Sequence, residues 1–481
     1  MMRVLAPALL AVLAPAAAMA QDAVFTGEIT GADHQHYKPV PFDVPTGVER
    51  ITVTLTYDKV DKTVVDMGVW DPERFRGWSG GTRDRFTLSP SDATPGYLPG
   101  TLPAGRWQLM LGVPNARANS HAAYRVTVDF DRAGSTHASD RIADAPLNPA
   151  PGWYRGDLHM HDANSDGSCA SQSGKRVPCP LFRTVEAAAR AGLDFAAVTD
   201  HNTVAHFGGL RELQPWFDRT LLIPGTEITT FGGHANIFGE RRFVDFRVGA
   251  AVPDIAALTR DVAAAGAILS INHPALPSGE ACMGCGWTWP DTDWSRVTAI
   301  EAVNGTIASG PLAGIGFWYA RLNEGRRLTG IAGSDNHDPD APQGKAPIGR
   351  PTTVVHAPEL SMAGILAGIR AGNVFIDVTG TRNRLLEVTA TAGKAQAVVG
   401  GTIAGDAGLR IRAHVVGVAG ASAELVVNGA VAGRSPVAGD DAHVEFPLAP
   451  RSCGWTAVNV RDGQGNPLLI GNPLYLTCRR S

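Results

Sequence analysis

His159 and His161 stand one residue apart in Gly156-Asp157-Leu158-His159-Met160-His161, and Asp166 follows them in a polar loop. On an extended backbone, side chains two positions apart point the same way. Two imidazoles can therefore face one point, with a carboxylate just beyond, and such donors begin a metal site. More donors of the same kind recur in Thr199-Asp200-His201-Asn202, Gly225-Thr226-Glu227, Gly233-His234-Ala235-Asn236, Asn272-His273-Pro274 and Ser334-Asp335-Asn336-His337. Of 14 histidines, eight lie between residues 151 and 380, and six of those eight are in these motifs. Imidazole and carboxylate donors without thiolate suit Zn, Mn or Fe, and this many can hold more than one ion.

The elements that must position these donors read as alternating strand and helix. Strands are expected at 154–161, 195–198, 221–223, 234–238, 267–271, 297–303, 328–332 and 352–355. Helix patterns fall at 181–191, 253–265, 311–324 and 359–371. Repeated β-α units imply a parallel sheet, open or closed into a barrel, whose ligands gather at the carboxyl ends of the strands. The donor motifs fall at those ends or start the strand after a loop. Before residue 148 and after 379 the texture is β, with period-two runs such as 51–57, 107–111, 124–130 and 409–416. Asn428-Gly429 is a hairpin signal. The expected plan is α/β, with N-terminal and C-terminal β-sandwich domains at 21–148 and 379–481 around a metal-site domain at 149–378.

Residues 1–20 have a positive start, an apolar run and Ala18-Met19-Ala20, which together read as a signal peptide cleaved after Ala20. The run is short for a membrane span, so a periplasmic or secreted protein without a membrane span is expected. Six cysteines in an exported chain favour disulfides. Proximity in sequence pairs Cys169 with Cys179, Cys282 with Cys285 and Cys453 with Cys478. A formal charge of −4 with no basic block argues against a nucleic-acid partner. His34 and His36 repeat the two-apart spacing but read as a surface pair. The aromatic and basic stretch 71–80 reads as either an exposed turn with packed aromatics or a loop that reaches a neighbouring domain or a ligand.

The donor motifs, in order and in type, resemble those of the PHP (polymerase and histidinol phosphatase) superfamily of metallohydrolases. The overall plan is similar to its CehA/McbA-type hydrolases. The resemblance covers about 230 residues and implies a distorted (β/α)7 barrel carrying two or three divalent ions. It implies that His159, His161, Glu227 and Asp335 hold one ion, and that Glu227 bridges to a second held by His234 and His273. Asp166, His201 and His337 would hold a third. Asp157 and Asp200 either orient imidazoles or cap strand ends.

The expected activity is ester hydrolysis with hydroxide activated by the metals, most simply on a phosphodiester or phosphomonoester of a small molecule. A carboxylic or carbamate ester hydrolase on the same site is the alternative, and a non-catalytic metal- or glycan-binding protein is the third reading. Ser165 and Ser334 lack the partners of an activated nucleophile. Arg155, Lys175, Arg176, Arg321, Lys345 and Arg350 are possible contacts for substrate oxygens. His206 and His356 read as structural. The stretch 279–294, with Cys282, Cys285 and three tryptophans, reads as a roof over the pocket or as packing.

Overall fold

A computed structural model describes residues 22–81, 83–132, 145–240, 242–280, 282–340 and 346–478. The expected signal peptide and Lys345 lie outside them. The chain divides into two compact units, one of residues up to 87 with 102–131, the other of 88–101 with everything from 132 onward.

The first unit contains two four-stranded sheets. One orders Ala23–Thr30, His121–Arg132, Val48–Tyr57 and Arg85–Leu88; the other His36–Val44, Gly105–Asn115, Val64–Trp70 and Phe75–Ser79. Alternation drives the burial: Trp107, Leu109 and Leu111 are inside, while Arg106 and Gln108 on either side of Trp107 are exposed. The stretch 71–80 is a packed turn and strand. Arg76 is fully buried and pairs with Asp71 at 2.9 Å. The other oxygen of Asp71 accepts from the backbone N–H groups of Glu73 and Arg74.

The second unit is mixed α/β and rich in strand. Its first strands are β1 (Gly152–Asp157), β2 (Phe195–Val198), β3 (Leu221–Thr230), β4 (Gly233–Phe238), β5 (Ile268–Ile271), β6 (Ala299–Asn304) and β7 (Thr329–Gly333), and the donor motifs sit on or just beyond the ends of all of these except β6. β8 (Thr352–Ala357) and β9 (Val374–Asp377) follow. In space the order is β7-β6-β5-β4-β3-β2-β1-β8-β9. Thr353 on β8 donates its hydroxyl to the carbonyl of Ala332 on β7 at 2.7 Å and accepts from its N–H at 2.8 Å, so the sheet curls until these strands meet.

The sheet is not the wholly parallel one expected. β1, β2 and β3 are parallel, as are β5, β6 and β7. β4 runs antiparallel to both β3 and β5, and β8 antiparallel to β1. The cause is local. Only Phe231 and Gly232 separate β3 from β4, and so short a connection can make only a hairpin.

Five helices among the described residues connect the strands: α1 (Leu181–Arg190), α2 (Phe207–Leu213), α3 (Ile255–Ala264), α4 (Gly314–Asn323) and α5 (Met362–Arg370). α2 was not apparent in the sequence pattern. α3 starts after Asp254, whose carboxylate accepts from the N–H of Ala257, and α5 after Ser361, whose hydroxyl accepts from Gly364. Pro253 therefore precedes the cap rather than opening the helix. Apolar strand residues such as Phe195, Ile223, Ile268 and Val355 are buried with Ile365 and Ile369 of α5.

The sheet runs on past 378, since Phe375 of β9 pairs with Gly471 of Pro467–Gly471, and Gly454–Arg461 and Ser422–Val427 follow. A separate four-stranded sheet contains Leu385–Ala392 and Leu409–Val416. Asn428 and Gly429, both at positive φ, turn Ser422–Val427 into Ala430–Pro436. The three disulfides join Cys169 to Cys179, Cys282 to Cys285 and Cys453 to Cys478. No described helix is long and apolar enough to cross a membrane.

Glu240, just past β4, is 3% exposed, and neither carboxyl oxygen has a hydrogen-bond partner among the described residues. Burial pushes its carboxyl up to about 8. The unfolded chain releases this proton near its ordinary value of 4.5, whereas the folded chain keeps it until about 8. Stability therefore falls as pH rises through that window. Thermal melting of Glu240→Gln is expected to show a higher Tm than the parent chain at pH 8 and a flatter profile between about pH 5 and 8. Parallel profiles would show that this carboxyl is not the cause.

Candidate metal centre

β1 ends at Asp157, four residues short of the expected strand. Its carboxylate ties the segment that follows to two other loops. It accepts from the backbone N–H groups of His159 at 3.1 Å, Ser334 at 2.9 Å and Gly349 at 2.8 Å. Asp157 is thus a cap on the strand end, not a partner of an imidazole. Beyond it the chain pairs with the end of β7: the N–H of Asp335 donates to the carbonyl of His159, and that of His161 to Asn336. The two imidazoles keep their common direction. A Cβ on Gly333 would lie 2.3 Å from the Cβ of His159, so only glycine lets the two segments come this close.

Glu227 lies inside β3, because that strand runs on to Thr230. Its Oε2 stands 3.3 Å from His159 Nε2, 3.5 Å from His161 Nε2 and 2.9 Å from His201 Nδ1. Its Oε1 stands 3.3 Å from both His234 Nδ1 and His273 Nε2. One buried carboxylate thus faces five imidazoles, three on one oxygen and two on the other. Asp335 Oδ1 closes the first group, 3.3 Å from His159 Nε2 and 3.2 Å from His161 Nε2. On the outer side, Asp166 Oδ1 lies 3.2 Å from His337 Nε2 and 3.7 Å from His201 Nε2. The His161 ring stacks on those of His337 and His201, with centroids 4.1 and 4.5 Å away. All nine expected donors fall in overlapping groups of metal-ligand spacing. Cys285 lies near His234 and His273 but is spent in its disulfide.

Glu301, on β6, was not anticipated. Its Oε1 sits 2.9 Å from His159 Nδ1, and its Oε2 accepts from the N–H of His273 at 2.8 Å and from Asn304 at 3.2 Å. One carboxylate therefore sets both a ring and a backbone turn. That backbone is strained: His273 and Asp335 have φ of 25° and 52°, in the left-handed region that non-glycine residues rarely adopt. Asn272 and Asn304 also donate to the cluster, to Glu227 Oε1 at 2.9 Å and to Asp335 Oδ2 at 3.2 Å.

Asp200 meets a different imidazole from those of the cluster. His206 Nδ1 is 3.3 Å from its Oδ2, while His206 Nε2 faces the carbonyls of Val198 and Gly225. The other oxygen of Asp200 accepts from Ser165 Oγ at 2.5 Å, and Ser165 is 3.4 Å from His161 Nδ1. Asp200 thus reaches His161 only through Ser165. Asp162, also unanticipated, is fully buried beside this pair; burial and then Asp200 push its carboxyl up to about 6.

Burial acts on every charged group here, and local partners decide the outcome. It pulls His161 down to about 4, leaving a neutral ring with a free lone pair at neutral pH. Burial opposes the charge on His337 as well, but the hydrogen bond to Asp166 raises it to about 9. Glu227 and Asp335 are held well below the usual carboxylate range despite burial, chiefly by His159. His159 Nε2, His161 Nε2 and Glu227 Oε2 are buried without a hydrogen-bond partner among the described residues. Buried polar atoms are costly unless satisfied. Divalent cations fit this donor set, since they would satisfy all three atoms together.

Three of the basic candidates are held by other partners. Arg155 is buried and pairs with Asp377, Arg176 pairs with Asp338, and Arg321 pairs with Glu324 and stacks over Trp294. His356 packs on Trp153. Trp287 and Trp289 bond to Thr292 and Thr230, so the tryptophans of 279–294 serve packing within the second unit.

If Glu301 orients His159, Glu301→Gln should weaken metal binding by about tenfold to a hundredfold, as removal of such partners typically does. Competition with a chelator measures this; an unchanged affinity would rule the role out.

No family model and no curated protein matches the chain. Among solved structures, it is similar to a two-domain protein from Bacteroides vulgatus containing a predicted PHP-like metal-dependent phosphoesterase. That match has 19% identity and a TM-score of 0.38, covering 67% of this chain and 96% of the other. A protein from Bifidobacterium adolescentis, inferred to be a metal-dependent phosphoesterase, is similar at 18% identity and a TM-score of 0.30, covering 44% and 95%. PliG of Salmonella Typhimurium, a periplasmic inhibitor of g-type lysozyme, is similar at 21% identity and a TM-score of 0.14, covering 23% and 90%.

Proposed function

We propose that this chain is an exported, metal-dependent phosphoesterase of the PHP superfamily, with a (β/α)7-type barrel between β-sandwich domains. The observation that carries the reading is Glu227, a buried carboxylate with two imidazoles on one oxygen and three on the other. A carboxylate so placed is suited to bridge two cations. His159, His161, Asp335 and Glu227 would hold one, His234, His273 and Glu227 a second, and Asp166, His201 and His337 a third. Bound there, divalent ions supply Lewis acidity to an ester oxygen and to an attacking water.

The chain's own groups support water as the nucleophile. Ser334 Oγ donates to the carbonyl of His159 at 3.2 Å, and Ser165 Oγ donates to Asp200. The Ser334 hydroxyl therefore has no base at its proton, and that of Ser165 is held by Asp200, whose other oxygen meets His206. Glu301 keeps the Nε2 of His159 turned inward, and the buried backbone clamp of Asp157 keeps His159 beside the end of β7.

Purified protein with Mn or Zn should hydrolyse a nitrophenyl phosphodiester or phosphomonoester faster than nitrophenyl acetate. The reverse order would favour the carboxylic ester reading. His159→Ala should lower bound metal and reduce activity by at least about a hundredfold. Activity that persists after the metal is lost would overturn the mechanism.

A further inference from the structure

His234 and His273 each have one ring nitrogen facing Glu227 and one facing away. Both outer nitrogens meet backbone carbonyls of a single tight loop: His234 Nε2 lies 3.1 Å from the carbonyl of Met283, and His273 Nδ1 lies 3.2 Å from that of Cys285. A carbonyl only accepts, so each ring must carry its proton on the outer nitrogen. In the neutral ring the lone pair is then at His234 Nδ1 and at His273 Nε2, on the side where Glu227 Oε1 stands.

The loop that supplies both carbonyls is closed on itself by the Cys282–Cys285 disulfide. It is also docked firmly on the β3–β4 hairpin. The N–H of Thr288, just past the loop, bonds to the carbonyl of Gly232 in the hairpin turn at 2.7 Å, and within the loop segment the N–H of Gly284 bonds to Ser278 Oγ at 2.7 Å. Gly284 has φ of 79°, and a Cβ there would lie 2.2 Å from the carbonyl oxygen of Thr230. The three disulfides span 10, 3 and 25 residues, and chain entropy gives the shortest loop the smallest effect on global stability. Its effect is local.

We propose that the disulfide-closed loop Cys282–Cys285 is a positioning element for one side of the metal centre. It fixes the tautomer and direction of His234 and His273 while leaving the His159, His161 and Asp335 side untouched. This rests on the metal-centre reading given above. Opening the ring frees the Met283 and Cys285 carbonyls to turn away, after which either ring can rotate or take the wrong tautomer.

Stepwise titration of the metal-free full chain with Zn, followed by calorimetry and by counting bound ions, tests this. Cys282→Ser/Cys285→Ser is expected to weaken one ion by about tenfold or more and to leave another within about twofold. Gly284→Ala, which disturbs docking with the disulfide intact, should weaken the same ion, and Cys453→Ser/Cys478→Ser should change neither. With Co in place of Zn, the visible spectrum should change for the weakened ion alone. Unchanged affinities in both loop variants would overturn the proposal, and so would an equal loss for every ion, which marks a general structural role. A parent chain that binds no ion would instead defeat the metal-centre reading itself.

Discussion

The second unit depends on one costly feature, the carboxylate of Glu227 held at 1% exposure among imidazoles. A buried charge is tolerated only when partners surround it. Here five rings and the amide of Asn272 do so, and they come from the ends of β1, β2, β4 and β5. A carboxylate in this position requires strands that converge. The hydrogen bonds of Thr353 that bring β8 against β7, and the close approach of Gly333 to His159, are consequences visible in the backbone.

Around that centre lies a ring of groups that hold the holders. Glu301 sets His159 and the backbone of His273, Asp157 ties three loop ends together, and Asp200 works through Ser165. These residues bear much of the precision, since a ligand free to rotate chelates poorly. The left-handed backbones of His273 and Asp335 are maintained by the same contacts. Strain of this kind persists only where neighbours over-determine the conformation.

The residues that cluster around Glu227 were legible as candidates because several carry a local signal: His159 and His161 by spacing, and His201, His273 and His337 by polar motifs that interrupt apolar strand texture. Glu301 had no such signal. It is one acid in the apolar run Ala299–Asn304, and only the approach of β1 and β5 shows what it touches. The antiparallel β4 was equally hidden, since the strand 234–238 reads alike in either direction. Asp157 looks the same in sequence whether it caps backbone or orients a ring.

Residue type and short-range spacing are properties of the sequence alone, and they determined which atoms can donate to a cation and which cysteines can pair with near neighbours. Which donors share an oxygen of Glu227, and which ring nitrogen faces inward, is decided by contacts between residues far apart in the chain. His159 and Glu301 are 142 positions apart, and Ser334 and Asp157 are 177 apart. Periodicity carries no information over such separations. They are set by the strand order of the sheet, which exists only once the strands have packed together.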